Sequence, residues 1–206
     1  MSYLKGNIKS YLDSLGAAVP VPGGGSAAAL VAALGVSLLL KSTAFTLRKK
    51  IQAEKAAGLK KLESRLKKLS AKLEALVDED ARAYSALDAV FKMPRNDLAR
   101  KKRREAAFKK ASIVLMNIHE LAFEGLSLSV CLAIGEAGML LPDVLAGGIF
   151  LESAMKSVSF TAGRNLVCVR DSMFRKHAAK LLRSADKKSG AMLGRLTRNV
   201  ERLLHD

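Results

Sequence analysis

The chain has 206 residues, of which 50% are hydrophobic and only 5% aromatic, with no tryptophan and four prolines. This composition is typical of packed helices, and we expect a single all-α domain spanning residues 1–206. The formal net charge of +16 predicts attraction to anions such as nucleic acid, anionic membranes or polyanionic small molecules. Cys131 and Cys168 lie in apolar sequence without metal-ligand spacing, which indicates a reduced, cytoplasmic protein without a metal site.

The first element is an N-terminal helix. Residues 2–14 and the adjoining Leu15 place apolar side chains at helical spacing, at Leu4, Ile8, Tyr11, Leu12 and Leu15. This spacing predicts that one face of the helix lies against the body of the protein. The glycine and prolines that follow end it.

The second element begins with Pro20-Val21-Pro22-Gly23-Gly24-Gly25-Ser26, hereafter the glycine turn. The prolines favour extended backbone, the glycines permit dihedrals that other residues avoid, and Ser26 is predicted to be the N-cap of a helix. Unpaired N–H groups at such a start suit a carboxylate, a phosphate or a polarised carbonyl. The alternative is a rigid turn that only lets the helix begin close to its neighbours.

The helix after the glycine turn is rich in small residues, so we expect it at the centre of a helical bundle. Its uninterrupted apolar run, residues 27–40, is shorter than the ~18 residues that suggest a membrane span, and we predict no membrane association. Lys41 is the odd residue in it, placed either at the rim of a ligand cleft or at an interface.

A long third helix is predicted from about Gln52 to Phe91. Its leucines alternate at spacings of three and four, as in a coiled-coil seam: Leu59, Leu62, Leu66, Leu69, Leu73 and Leu76. Asp80, Ala83, Tyr84 and Leu87 continue that inward seam, which puts a carboxylate where leucine stood before. A buried charge is costly unless it is compensated, so Asp80 requires a cation, a hydrogen-bond donor or a ligand.

A break at Phe91–Arg95 precedes a fourth helix that runs to about Ile134. Its first turns hold the densest charge run of the chain, residues 100–104, which is either a solvated face or an anion-docking patch.

Beyond a loop at residues 135–141, Pro142 and Asp143 open a helix that continues through Lys180. Asp143 at the start of this helix either stabilises the helix N-terminus as a capping residue or has a catalytic role. Four apolar residues mark an amphipathic C-terminal helix: Leu193, Leu196, Val200 and Leu203.

Several catalytic and binding patterns are missing from the sequence. The glycine turn is not followed by Gly-Lys-Ser/Thr, so it is not a nucleotide-triphosphate loop. No serine or cysteine lies beside a plausible base. The basic patches lack interleaved aromatic residues, which argues against a single-stranded nucleic-acid partner.

The glycine turn together with Ala28-Ala29-Leu30 resembles the opening signature of the cyclodeaminase/cyclohydrolase family. The resemblance continues in order through Asp78-Glu79-Asp80-Ala81-x-Ala83-Tyr84, the Lys92-Met93-Pro94-Arg95 turn, Asp143 and Asn165. Some positions depart from the family pattern, and we expect several of them to line the substrate cleft: Ala44, Arg48, Leu115, Glu136–Met139 and Pro142.

The resemblance implies an all-α bundle, usually paired as a homodimer, that acts on a one-carbon derivative of tetrahydrofolate without a metal or separate cofactor. It implies catalytic roles for Asp143 and Asp80 and substrate contacts from Gly23, Gly24, Gly25, Ser26 and Asn165. Folates carry carboxylates, often as a polyglutamate chain, and Lys92, Arg95 and Arg100 are candidate contacts for that tail.

The expected reaction is hydrolysis of 5,10-methenyltetrahydrofolate to 10-formyltetrahydrofolate, because the chain carries no formiminotransferase segment to supply a formimino substrate. The alternative within the family is a formiminotetrahydrofolate cyclodeaminase that releases ammonia. The alternative of another class is a non-catalytic basic helical protein that binds nucleic acid or an acidic partner.

Overall fold

The computed structural model of the chain, which describes residues 2–134 and 140–205, contains α-helices and one 3₁₀ turn and no strand in those ranges. This confirms the all-α prediction, whereas the single-domain assignment stays a prediction. The predicted loop at residues 135–141 and the departure at Glu136–Met139 fall largely or wholly outside the described residues. The elements are the 3₁₀ turn Tyr3–Lys5, α1 (Ile8–Gly16), α2 (Gly24–Leu47), α3 (Ala53–Lys92), α4 (Arg100–Ile134), α5 (Leu141–Val167) and α6 (Ser172–His205).

Helix α2 is the central element, as its small residues predicted. It packs against α3, α4 and α5, and its alanines at 28, 29, 32 and 33 are buried. The backbones of α2 and α5 approach closely at Gly35 and Gly147, because a Cβ atom at Gly35 would lie 2.8 Å from the Gly147 carbonyl oxygen. Glycine at both positions therefore lets these two helices lie side by side.

Long-range contacts fix which helix ends lie together. The pairs are Gly25 with Asp80, Lys41 with Asp143, Phe91 with Phe108, and Glu105 with Arg170. One end of the bundle therefore holds the start of α2, the last turns of α3, the start of α4, the end of α5 and the start of α6. We call it the glycine-turn end.

Two predictions of burial are wrong. Helix α1 buries only Tyr11 fully, while Leu4, Ile8 and Leu12 are exposed, because α1 is short and touches the body of the protein mainly through that tyrosine. On α3, Asp80, Ala83 and Leu87 are buried as predicted, but Tyr84 is exposed, because this part of α3 extends beyond the first turn of α2.

The predicted helix from Pro142 to Lys180 is two helices. α5 ends at Val167, and α6 begins at Ser172 with the Asp171 carboxylate accepting a hydrogen bond from the Phe174 backbone N–H at 3.0 Å. No glycine or proline marks this break in the sequence. A carboxylate distant in sequence fixes it instead: Glu105 of α4 accepts hydrogen bonds from the backbone N–H groups of Arg170 and Asp171.

Replacing Glu105 with glutamine is expected to loosen the α5–α6 junction. In the wild type, the hydrogen bonds from these backbone N–H groups hold the pKa of Glu105 below its usual value. In the variant, the neutral amide offers the same two N–H groups only one, weaker acceptor. Amide hydrogen exchange at residues 168–171 should accelerate by about tenfold, reflecting easier local opening. Glu54→Gln in the first turn of α3 is the control, and equal protection in both variants would contradict the anchoring role.

Two helices within the described ranges are long and apolar enough to cross a membrane by length and composition, namely α2 and the Arg100–Ala133 part of α4. Half of each apolar window is buried inside the protein, and core helices of soluble proteins meet the same criteria. The prediction of no membrane association is therefore neither confirmed nor contradicted by the helices themselves.

Candidate active site

Asp80 is buried against the first turn of α2, with 9% of the residue exposed. The backbone N–H of Ser26 donates a hydrogen bond to its carboxylate, and a Cβ atom on Gly25 would lie 2.5 Å from its Cγ atom. Burial raises the pKa of Asp80 to about 6, with the Ser26 hydrogen bond acting in the opposite direction. A carboxyl group that titrates near neutral pH is suited to accept and return a proton.

Tyr11 is a further member of this site that sequence reasoning assigned only to packing. Its hydroxyl lies 3.2 Å from the Ser26 hydroxyl, and its ring packs edge-on against Tyr3 at 5.4 Å between centroids. Burial raises the pKa of Tyr11, and the nearby Asp80 charge adds to the effect, so the phenol stays protonated. The apolar spacing of α1 gave no signal for this role, because Tyr11 also fits that pattern as a core residue.

The glycine turn differs in detail from its prediction. Gly23, in extended conformation, is the N-cap of α2, and Ser26 lies inside the helix with its side chain directed to Tyr11. Gly23, Gly24 and Gly25 do not adopt left-handed backbone conformations. Glycine is required at position 25 for a different reason, since the Asp80 carboxylate occupies the space of a side chain. Apart from the adjoining backbone, no atom of the described residues lies within 4 Å of a Cβ built at Gly23 or Gly24, so both positions face open space.

A cleft of about 600 Å³ lies at the glycine-turn end, between the α3–α4 loop, the start of α4 and the α5–α6 junction. We call it the basic cleft. Among the described residues that line it, Asp97 and Glu105 are acidic, whereas the basic ones are Arg95, Arg100, Lys101, Arg104, Arg170 and Arg175. This surplus of positive charge around a concave surface is suited to an anionic group.

The predicted tail contacts divide between the basic cleft and its surroundings. Arg95 and Arg100 line the cleft, and Arg100 also approaches the last carbonyl oxygens of α3. Lys92 instead pairs with Asp88 one turn earlier, at 2.6 Å, and does not line the cleft. Sequence reasoning missed Arg170 and Arg175, because only the break between α5 and α6 brings them to this end.

Asp143 lies far from Asp80 within the chain. Its carboxylate pairs with Lys41 Nζ at 2.7 Å, near the other end of α2. Because Asp80 contacts α2 at Gly25, the two carboxylates are separated by about 24 Å along that helix. Asn165, on the last turn of α5, lies at the glycine-turn end. Within one chain the glycine turn, Asp80, Asn165 and the basic cleft therefore lie towards one end of the bundle and Asp143 towards the other, and the lining of the cleft includes neither Asp80 nor the glycine turn.

Groups of three or more His, Cys, Asp or Glu side chains that could hold a metal ion are absent from the described part of the chain. The expectation that no metal or cofactor is needed stays a prediction. His119 is buried and its Nε2 atom lies 2.8 Å from the Asp186 carboxylate.

Comparison with known proteins identifies the family to which the chain belongs. The sequence profile of formiminotransferase-cyclodeaminase matches residues 7–184, which is well over half of the chain. The chain belongs to the formiminotransferase-cyclodeaminase family. This membership confirms the resemblance carried by the glycine turn and the acidic stretch around Asp80.

Individual relatives in this family represent both expected reactions. The methenyltetrahydrofolate cyclohydrolase of Methylorubrum extorquens is 26% identical over 205 residues, covering 94% of this chain and 95% of that protein. The formimidoyltransferase-cyclodeaminase of Rattus norvegicus is 28% identical over 210 residues, which cover 97% of this chain but only 38% of the rat protein. The predicted class of folate one-carbon enzyme is thus confirmed at the level of the family.

The fold is shared with a solved member. The formiminotetrahydrofolate cyclodeaminase from Thermotoga maritima superposes with a TM-score of 0.87 at 20% identity, covering 98% of both chains. At that identity the similarity establishes the fold and leaves open which of the two reactions this chain catalyses.

Proposed function

We propose that this protein hydrolyses 5,10-methenyltetrahydrofolate to 10-formyltetrahydrofolate, as a cytoplasmic homodimer without a resident cofactor. The observation that carries the proposal is the buried Asp80 carboxylate at the start of α2, whose pKa of about 6 suits proton transfer near neutral pH. Hydrolysis is favoured over deamination because the chain matches a cyclohydrolase over nearly the full length of both proteins.

The chemistry requires a group that both accepts and donates a proton. The methenyl carbon is bonded to N5 and N10, which share its positive charge. Asp80 takes a proton from water as the water oxygen bonds to that carbon, giving a neutral tetrahedral intermediate. The N5–carbon bond then breaks as N5 receives a proton from Asp80, which leaves the formyl group on N10. The second proton of the former water is released to solvent.

The turn around Asp80 supplies donors for this reaction. The Tyr11 and Ser26 hydroxyls are within hydrogen-bond distance of each other, and the protonated phenol offers a neutral donor close to the carboxylate. Gly23 and Gly24 leave the helix start uncovered, so a pterin ring or its carbonyl can approach the backbone N–H groups. We assign these residues and Asn165 to substrate positioning.

The basic cleft is proposed to hold the carboxylate tail of the substrate. It lies at the same end of the bundle as Asp80, and its arginines can each engage a carboxylate through paired hydrogen bonds. A polyglutamate tail carries several such groups, so we propose that polyglutamylated substrates bind more tightly than monoglutamylated ones.

Two assays separate the candidate reactions. Loss of the near-ultraviolet absorption of methenyltetrahydrofolate faster than in buffer alone supports the hydrolase. Ammonia release from formiminotetrahydrofolate, without accelerated hydrolysis of the methenyl compound, would replace it with the cyclodeaminase, which the structural similarity to the Thermotoga maritima enzyme keeps as the second candidate. Failure in both assays would reject the proposed function.

The variant Arg104→Glu tests the tail site. Arg104 lines the basic cleft, so reversing its charge is expected to raise KM for a polyglutamylated substrate about three- to tenfold with little change in kcat. Arg103→Glu is a matched control, because Arg103, which precedes Arg104 in the sequence, is exposed and does not line the cleft. Equal KM changes in both variants would show that only the overall charge matters.

A further inference from the structure

Helix α6 carries a large share of the positive charge of the chain. Its 34 residues include nine lysines and arginines and two acidic residues, so it holds +7 of the formal net charge of +16. Arg175 is the one of these nine that lines the basic cleft. The other eight are exposed and have no part in the proposed folate reaction: Lys176, Lys180, Arg183, Lys187, Lys188, Arg195, Arg198 and Arg202.

These eight cations lie on one face of the helix, which we call the α6 face. The opposite side of α6 packs into the protein through four buried apolar residues, Ala178, Leu182, Leu196 and Val200. At 3.6 residues per turn, five cations form a row directly opposite them, namely Lys176, Lys180, Lys187, Arg198 and Arg202. The remaining three flank this row on either side.

Solvation alone does not account for the α6 face. A solvated helix face typically mixes charges that pair four residues apart, as Glu63 and Lys67 do on α3 at 2.6 Å. Within the described ranges, none of the eight cations forms an ion pair or a side-chain hydrogen bond. The Asp186 side chain lies against His119 instead, and Glu201 is near the end of the row.

Like charges also recur on this face at the spacing that destabilises a helix. Three cationic pairs are four residues apart, namely Lys176–Lys180, Arg183–Lys187 and Arg198–Arg202. Repulsion within such pairs opposes helix formation unless an anion lies between or above them. The arrangement is therefore suited to a bound anion rather than to water.

The length of the row favours an extended polyanion. From Lys176 to Arg202 it spans about 39 Å, far more than a small anion can contact. Double-stranded DNA carries one negative charge per roughly 1.7 Å of its axis and can neutralise the whole row. A membrane surface is a poorer match, because helices that bind membranes insert apolar side chains beside their cations. The exposed large apolar residues described on α6 lie instead at the ends of the row or to its side: Met173, Leu181 and Leu203.

The spacing of the cations favours DNA over other nucleic acids. Five lie in residues 176–188 and three in residues 195–202, with about 10 Å along the helix between the two groups. The outward residues in this gap are small, namely Gly190, Ala191 and Gly194. The major groove of B-form DNA is about 12 Å wide, so each group can reach the phosphates at one edge of it. A-form RNA has a narrow major groove, and single strands stack on aromatic residues, which residues 176–202 do not contain.

We propose that the α6 face binds double-stranded DNA across its major groove, as an activity separate from folate chemistry. The contacts are from lysine and arginine to phosphates, so binding does not depend on base sequence. The eight cations include no lining residue of the basic cleft and no residue of the site around Asp80. Failure of the proposed folate reaction would therefore leave this proposal intact, and the reverse also holds.

Fluorescence anisotropy with a labelled DNA duplex of about 20 base pairs, roughly 68 Å long, measures the binding. We expect a Kd of about 1–100 µM near physiological salt. If the five cations of the row each contact a phosphate, log K should fall against log salt concentration with a slope of about −4.5. No binding at about 50 mM salt would overturn the proposal. Tighter binding to single-stranded DNA, to an RNA duplex or to phosphatidylserine vesicles would also overturn it.

Charge reversal on the α6 face separates this surface from the overall charge of the protein. Lys180→Glu/Lys187→Glu/Arg198→Glu should weaken duplex binding at least about tenfold and bring the slope to about −2, because three phosphate contacts are lost. The control Lys60→Glu/Lys61→Glu/Lys68→Glu makes the same change in net charge at exposed positions of α3 and should keep the wild-type slope. Equal losses in the two variants would overturn the proposal.

A milder variant covers the case in which the triple change disturbs folding. Lys187→Gln removes one exposed charge and should keep the circular dichroism spectrum and thermal unfolding of the wild type. It is expected to reduce the magnitude of the salt slope by about one. Lys68→Gln on α3 is its control and should leave the slope unchanged. A slope in Lys187→Gln equal to that of the wild type would overturn the assignment of DNA binding to the α6 face.

Discussion

Replacing Asp80 with asparagine is expected to abolish turnover while making the protein more stable above pH 6. The catalytic loss follows from removing the group that accepts and returns the proton. Proton transfer by such a group typically accelerates a reaction by roughly 10²- to 10⁴-fold, so kcat/KM should fall by about that factor. The gain in stability follows from removing a carboxylate that burial disfavours in its charged form.

The pH dependence of this stability difference has a defined sign. Burial raises the pKa of Asp80 from 3.8 in the unfolded chain to about 6 in the folded one. Below pH 3.8 both states are protonated, so the ionisation of Asp80 costs no stability. Between these values only the unfolded chain has released its proton, so stability falls as the pH rises, and above pH 6 the cost is complete, at up to roughly 3 kcal/mol.

Urea unfolding of the wild type and Asp80→Asn at pH 4, 5, 6 and 7.5 measures this difference. The variant should gain relative to the wild type as the pH rises to about 6 and then keep a constant advantage. Its rate profile should also lack the inflection near pH 6 that the wild-type kcat/KM is expected to show. Asp88→Asn is the control on the same helix, because Asp88 pairs with Lys92 at the surface. A stability difference independent of pH would contradict the raised pKa.

The helices themselves are largely predictable from local pattern. The leucine seam of α3 is inward-facing as its spacing indicates, with Leu66, Leu69, Leu73 and Leu76 buried. The substitution of Asp80 into that seam identified the carboxylate as unusual before any contact was known. Its partner, the Ser26 backbone N–H, is the kind of donor that the burial of a charge required.

The features that local pattern missed all depend on contacts distant in sequence. The α5–α6 break is held by Glu105, about 65 residues earlier, and no residue in the segment itself signals it. The basic cleft exists only because that break brings Arg170 and Arg175 beside α4. Tyr11 fits the apolar spacing of α1, so the sequence contains no sign of the contact between its hydroxyl and that of Ser26. The separation of Asp143 from Asp80 likewise follows from the antiparallel packing of α2 and α5.

The two alternatives for the glycine turn, a packing turn or a substrate-facing one, can be separated by single methyl groups. Gly25→Ala is expected to destabilise the protein by about 1–3 kcal/mol, because the new Cβ atom overlaps the Asp80 carboxylate and displaces it from Ser26. It should also lower kcat, since the displaced carboxylate is the proposed proton carrier. Thermal unfolding and steady-state kinetics measure both effects.

Gly24→Ala supplies the other half of the comparison. Apart from the adjoining backbone, no atom of the described residues lies within 4 Å of a Cβ at this position, so the variant should fold as well as the wild type or gain up to about 1 kcal/mol from helix propensity. If the turn faces substrate, the added methyl group occupies space that the pterin needs, and KM rises with stability unchanged. Gly58→Ala, equally uncrowded but on α3 far from the turn, should leave KM as it is. Unchanged kinetics in Gly24→Ala would return the glycine turn to a packing role, with Gly25 alone explained by its contact with Asp80.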